Sequence, residues 1–101
     1  RQKTDIAQNE FSVGLMYSRM KEIEAMAIRE QLKSLGYDVN CTGKSSMIEE
    51  SQIIGYNTQV SKDMIRAMQK KVPEISEFKY VHSPVRSYCN NSDIVITIKN
   101  D

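Results

Sequence analysis

Phe11-Ser12-Val13-Gly14-Leu15-Met16-Tyr17-Ser18-Arg19-Met20-Lys21-Glu22-Ile23 decides how this chain folds, because the apolar period changes inside it. Phe11, Val13, Leu15 and Tyr17 fall on one side, with Ser12, Gly14 and Met16 on the other, the two-residue period of a strand. After Ser18 the apolar positions are Met20, Ile23, Ala27, Ile28, Leu32 and Leu35, three or four residues apart except for the adjacent Ala27 and Ile28. That spacing predicts a helix over Met20–Leu35, with Ser18 as its cap. Gly36 stands where a helix wants a left-handed terminating residue, and Tyr37, Val39 and Cys41 resume the alternation as a second strand.

The pattern then recurs. A polar, flexible segment from Thr42 to Glu50 leads to a short β-rich run, Gln52–Tyr56. Asn57, Thr58 and Ser61 offer caps for a second helix carrying Val60, Met64, Ile65, Met68 and Val72. Asp63 in its first turn and Lys70 and Lys71 in its last suit the helix dipole, and Pro73 ends it. Phe78–His82 reads as a fourth strand, Ser83–Ser92 as a loop, and Asp93–Lys99 as a strongly β-branched fifth strand.

The expected fold is α/β (α+β): a small two-layer sandwich in the order β-α-β-β-α-β-β, two helices packed on one sheet of four to five strands. Residues 1–9 read as a linker or disordered terminus and 10–101 as a single domain. Sliding the chain by 41 residues lays Val13-Gly14 on Ile54-Gly55, Lys21-Glu22-Ile23 on Lys62-Asp63-Met64, and Tyr37 on Phe78, an internal duplication. Glycine weakens a strand unless something approaches closely, so Gly14 and Gly55 mark close helix–sheet packing or a ligand over the strand ends. With both helices on one face, the other is left open to solvent or to a partner.

Composition narrows the function. The 101 residues carry 14 basic and 13 acidic side chains, net +1, which argues against a dedicated nucleic-acid or membrane-surface binder. No apolar run approaches the roughly 20 residues of a membrane span, and the chain begins with Arg1, as expected for a piece of a longer parent that holds any anchor. Of the six methionines, Met20, Met64 and Met68 are expected in the core, with Met16 and Met26 as adaptable surface positions.

No motif assembles a catalytic set. Gly43-Lys44-Ser45 lacks the first glycine of a phosphate loop (Asp38 stands there) and is followed by no helix, so no nucleotide is expected. Cys41 and His82 end corresponding strands in the duplication, where a thiolate beside an imidazole makes a nucleophile and base, but no orienting third residue accompanies them. Cys41 and Cys89 form either one disulfide in an oxidising compartment or two thiols in a reducing one. Two glycosylation-like triplets, Asn40-Cys41-Thr42 and Asn90-Asn91-Ser92, are read as coincidence, and Lys62, Arg66, Lys70 and Lys71 as a solvated helix face. No metal site and no cofactor is expected.

Leu35-Gly36-Tyr37-Asp38-Val39, then Ile53-Ile54-Gly55-Tyr56 before a second helix, then Ser92-Asp93-Ile94-Val95-Ile96, resemble the small C-terminal domain of LytR-type cell-envelope proteins. The likeness spans about Phe11 to Ile98. The family's Asn-Gly-rich turn after the first strand is replaced here by Met16-Tyr17-Ser18-Arg19. What the resemblance implies is an accessory domain outside the cytoplasm, appended to a larger envelope protein and not itself catalytic.

The functional expectation is therefore a non-enzymatic accessory domain binding a protein partner or a cell-envelope ligand. Its candidate contact positions are Tyr17, Ser18 and Arg19 in one strand-to-helix turn and Tyr56, Asn57 and Thr58 in the other. Two other classes are weighed beside it: a self-association domain using an exposed sheet edge, and a small thiol-dependent enzyme built on Cys41 and His82.

Overall fold

The most β-branched stretch of the chain, Ile94–Ile98 (β5), is buried at all five positions, and the rest of the sheet is arranged around it. The computed structural model describes residues 11–86 and 88–100; the linker expected over 1–9 lies outside them. In chain order the elements are β1 (Ser12–Tyr17), a 3-10 turn (Arg19–Lys21), α1 (Glu22–Ser34), β2 (Asp38–Lys44) and β3 (Gln52–Gly55). Then come α2 (Lys62–Lys71), a 3-10 turn (Pro73–Ile75), β4 (Lys79–His82) and β5. The strands form one five-stranded sheet in the order β2-β1-β5-β3-β4. β1 runs parallel to β2 and to β5, β3 runs parallel to β4, and β3 meets β5 antiparallel.

That order is symmetric about β5. Each strand–helix–strand half places its first strand next to β5 and its second at an edge, and the halves run in opposite directions. They are thus related by an approximate two-fold axis normal to the sheet, an operation that leaves both helices on the same face. One buried cluster confirms this: Val13, Leu15 and Tyr17 of β1, Ile53, and Ile94, Ile96 and Ile98 pack with Ala25, Ile28 and Leu32 of α1 and Ile65 and Met68 of α2. Fully burying each such aliphatic side chain is worth about 1.5–3 kcal/mol.

The helix ends follow local chemistry. Gly36, at φ 97°, turns the chain out of α1, and the Tyr37 N–H donates to the Leu32 carbonyl at 3.0 Å. Ser61 caps α2, its hydroxyl accepting the Met64 N–H at 3.2 Å. Pro73 opens a 3-10 turn rather than continuing α2.

Several details depart from the sequence expectation. In α1 the buried stripe is Ala25, Ile28 and Leu32, whereas Met20 and Ile23 are 75% and 87% exposed. Helical residues advance by about 100° each, so Met20, Ile23 and Ala27 form a second stripe, turned well away from the first. The three- and four-residue steps are regular within both stripes, and only the position of the sheet selects one. Ser18 makes no side-chain cap, and α1 begins beyond the 3-10 turn. Met16 and Met26 are half-buried rather than surface residues.

The other departures concern register. β2 continues to Lys44, past the expected end at Cys41. Its pairing with β1 shifts between Val13↔Val39 and Gly14↔Cys41, which leaves Asn40 as the extra residue of a bulge. Cys41 is thereby sent to the sheet face opposite Val39, although plain alternation puts both on one side. The duplication itself is in register at 40 residues, not 41, through its first strand and helix. Val13 then matches Ile53, Ala25 matches Ile65, Ile28 matches Met68 and Leu32 matches Val72, all buried on the helix side.

The α1 correction has a direct check. Ile28→Ala, at a site 1% exposed, is expected to cost about 2–5 kcal/mol in urea unfolding. Ile23→Ala, at a site 87% exposed, is expected to stay within about 0.5 kcal/mol of the parent. Comparable losses at the two positions would reverse the assignment of faces.

Candidate functional site: the helix-free face of the sheet

The face without helices carries its own apolar patch. Ile54, Tyr56, Val95 and Cys89 are buried there, flanked by the half-buried Met16, Cys41, Val81 and Tyr88. Cys89 comes from the loop between β4 and β5, which folds back over the sheet and is bonded through its sulfur to Cys41 of β2. The bulge at Asn40 makes this bond possible, because it turns Cys41 toward the loop. Gly14 lies beneath: a Cβ there would stand 2.7 Å from Cys89 Sγ and 2.8 Å from Ser92 Oγ. The absent side chain is the space the loop occupies.

Polar bonds hold the end of the same loop. Asn40 Nδ2 donates to the Asn91 carbonyl at 3.0 Å, and Asn40 Oδ1 accepts from Ser92 Oγ at 2.6 Å. Asp93 accepts the Ser12 N–H at 3.2 Å and Asn57 Nδ2 at 3.3 Å, one on each carboxylate oxygen. The Arg86 guanidinium donates to the Asn90 and Ser92 carbonyls, lies 3.8 Å from Asp93, and sits over the Tyr56 ring at 5.5 Å from its centre. These groups fasten a loop, and each described partner is accounted for by that role.

Beside the loop runs a groove of about 380 Å³ lined by Met47, Glu49, Glu50, Gln52, Tyr88 and Thr97. Its floor is rigid: the buried Thr97 hydroxyl donates to the Glu50 carbonyl at 2.7 Å and receives the Gln52 N–H at 3.2 Å. Its rim is adaptable and acidic. Met47 is 76% exposed, Tyr88 is half-buried, and Glu49 and Glu50 form no ion pair with a described residue.

The positions expected from sequence are not brought together. Tyr17 pairs with Ile98 at one end of β5, while Gly55, just before Tyr56, pairs with Ile94 at the other. The turn at Tyr17, Ser18 and Arg19 and the turn at Tyr56, Asn57 and Thr58 therefore lie at opposite ends of the sheet, roughly 15 Å apart. Tyr17 and Tyr56 are both buried. Asn57 serves its own turn, accepting the Gln59 N–H at 2.8 Å, and Thr58 is exposed. Ser18 and Arg19 line a hollow of about 230 Å³ with Lys44, Ser45 and Ser46, in which Lys44 Nζ is 3.3 Å from Glu22.

Cys41 and His82 stand on opposite edge strands, about 19 Å apart across four strand spacings, and Cys41 is already bonded to Cys89. A thiolate–imidazole pair is absent from this arrangement. Gly43 and Lys44 lie within β2, and Gly43 faces the Met16 thioether rather than opening a phosphate cradle. Lys62, Arg66, Lys70 and Lys71 are exposed along α2, with Arg66 paired to Asp63 at 3.4 Å. Among the described residues no group of three metal-ligating side chains converges, and no helix is long and apolar enough to cross a membrane. Burial pushes the Tyr37 and Tyr80 phenols above their ordinary range, but both pack on the helix side, away from the groove.

Comparison with known proteins adds no relative: no family model, no curated protein and no solved structure matches the chain. The groove was missed in the sequence because its walls come from the two segments read as polar loops. Met47, beside Ile48, and Tyr88, in the loop that also holds Val85, were the available signal.

Proposed function

We propose that the chain is a non-enzymatic accessory domain that binds a protein partner on the helix-free face of its sheet. The observation that carries this reading is the groove between Met47 and Tyr88. It joins a hydrogen-bonded floor to the exposed Met47 side chain and the half-buried Tyr88, and it is edged by the Glu49 and Glu50 carboxylates, which form no ion pair with a described residue. Those features suit an extended peptide segment bearing a basic side chain: Tyr88 offers its ring to the cation, and Glu49 and Glu50 offer charge. Met47 supplies the adaptable packing seen at interaction surfaces.

The Cys41–Cys89 bond supports placement in an oxidising compartment, the location that the LytR-type resemblance implies. The self-association reading is less favoured. Among the described residues β2 is an edge strand of seven residues, but the bulge at Asn40 interrupts its ladder, a device that discourages edge-to-edge pairing.

The test is fluorescence anisotropy with labelled ten-residue peptides of basic, neutral and acidic composition. Basic peptides are expected to bind most tightly, and Glu49→Lys/Glu50→Lys to weaken them about tenfold, the effect of two rim charges reversed. Added salt should shrink the difference. Equal binding of acidic and basic peptides, or no effect of the double variant, would remove the groove as the site.

A further inference from the structure

We infer that the Cys41–Cys89 disulfide is a redox-operated clasp, closed when oxidised and opened by a dithiol reductant to uncover the apolar patch under the β4–β5 loop. The inference is independent of what occupies the groove, and it stands on where the bond sits and what it spans.

First, the bond lies outside the main core. The helix-side cluster contains neither cysteine, and the smaller cluster on the opposite face contains both. Opening the bond therefore leaves the packing of both helices on the sheet intact. Second, the bond joins two peripheral segments, an edge strand and a loop, and Cys41 is half-buried at that edge. Third, the loop's other ties are unevenly placed. Asn40 and Ser12 hold Asn91 and Ser92 at the loop's end, and the Ser83 N–H donates to the Gly55 carbonyl at its start, while among the described residues between them the ties include the Arg86 guanidinium over Tyr56 and beside Asp93, the partial packing of Tyr88 and the burial of Cys89. Fourth, Gly14 beneath Cys89 presents no side chain to retain the loop once the sulfur is released. Residues 90–92 then act as the hinge. The surface uncovered is Ile54, Tyr56 and Val95, with Val81 and Met16 at its margin.

The chemistry balances. A thiolate of the dithiol attacks one sulfur of the bond, and the Cys41–Cys89 bond breaks as a mixed disulfide forms. The reductant's second thiol then displaces the cysteine. The reductant leaves as a disulfide, oxidised by two electrons, and Cys41 and Cys89 each leave as a thiol after taking up a proton.

The experiment compares the whole chain, oxidised and treated with dithiothreitol, by hydrogen exchange at low temperature, with Cys41→Ser/Cys89→Ser as a permanently open form. Exchange of amides over 83–89 is expected to accelerate on the order of tenfold in both open forms. Binding of an apolar dye should rise, the unfolding transition should remain cooperative, and reoxidation should restore the first state. Unchanged exchange over 83–89 would overturn the clasp. So would loss of the cooperative transition on reduction, which makes the bond a staple of the whole domain, or a bond that dithiothreitol cannot reduce while the chain is folded.

Discussion

Gly14→Ala is expected to lose about 2–3 kcal/mol of unfolding free energy, the overpacking cost of a methyl group with nowhere to go. The new Cβ would meet Cys89 Sγ at 2.7 Å, Ser92 Oγ at 2.8 Å and Cys89 Cβ at 3.0 Å. Cys89 is held by its bond to Cys41, and the fully buried Ser92 by its 2.6 Å hydrogen bond to Asn40, so neither yields cheaply. Gly55 is the control. A Cβ there would stand 2.5 Å from Tyr80 Oη, but that oxygen is the far end of a half-buried ring, held by one 3.4 Å bond to the Val60 carbonyl. The ring can turn aside, and alanine recovers the strand penalty of glycine, so Gly55→Ala is expected within about 1 kcal/mol of the parent. Chemical denaturation of both variants decides the point. In a Cys41→Ser/Cys89→Ser background the Gly14→Ala loss should fall by more than half, because the obstructing loop is then free to move. Equal losses at positions 14 and 55 would mean that the loop does not lie on Gly14.

Removing the disulfide is the larger perturbation of stability. The bond closes a loop across a sequence separation of 48, and in the chain-entropy model its loss frees the unfolded state by about 4 kcal/mol. For a domain of this size that lowers the melting temperature by about 15–30 °C. Calorimetry of Cys41→Ser/Cys89→Ser against the oxidised parent measures it. The effect acts mainly on the unfolded chain, so the folded form of the variant keeps its helix-side core. A loss below about 1 kcal/mol would show that the two segments stay near each other in the unfolded state without a bond.

Element types and their order were legible because each rests on local periodicity. Ile94–Ile98 is too β-branched for a helix, Gly36 and Pro73 stop the helices, and Ser61 caps α2. What escaped local reading had nonlocal causes. Two apolar stripes coexist on α1, and only the position of the sheet buries Ala25 and Ile28 while leaving Ile23 in water. The bulge at Asn40 is one unpaired residue, invisible in the alternation of Tyr37, Val39 and Cys41, yet it moves Cys41 to the other face and makes the bond to Cys89 reachable. The duplication was seen with its register set by surface matches such as Lys21 on Lys62. The buried residues, which carry the energy, keep a different one.

The candidate site divides in the same way. Tyr17, Ser18, Arg19, Tyr56, Asn57 and Thr58 occupy the strand-to-helix turns of the two halves, and the two-fold axis through β5 sends those turns to opposite ends. Met47, Glu49, Glu50 and Tyr88 come from segments with no periodicity to read, and they meet because the disulfide and Asn40 fold one loop back beside the other.

By itself, the sequence determined that this chain builds two strand–helix–strand units and a final β-branched strand, since those depend on intervals of two to four residues and on single stop residues. Only the tertiary structure decided which helix stripe is buried, which sheet face Cys41 joins and where a groove opens. Each of those depends on pairings between residues distant in the chain, which a local period cannot encode.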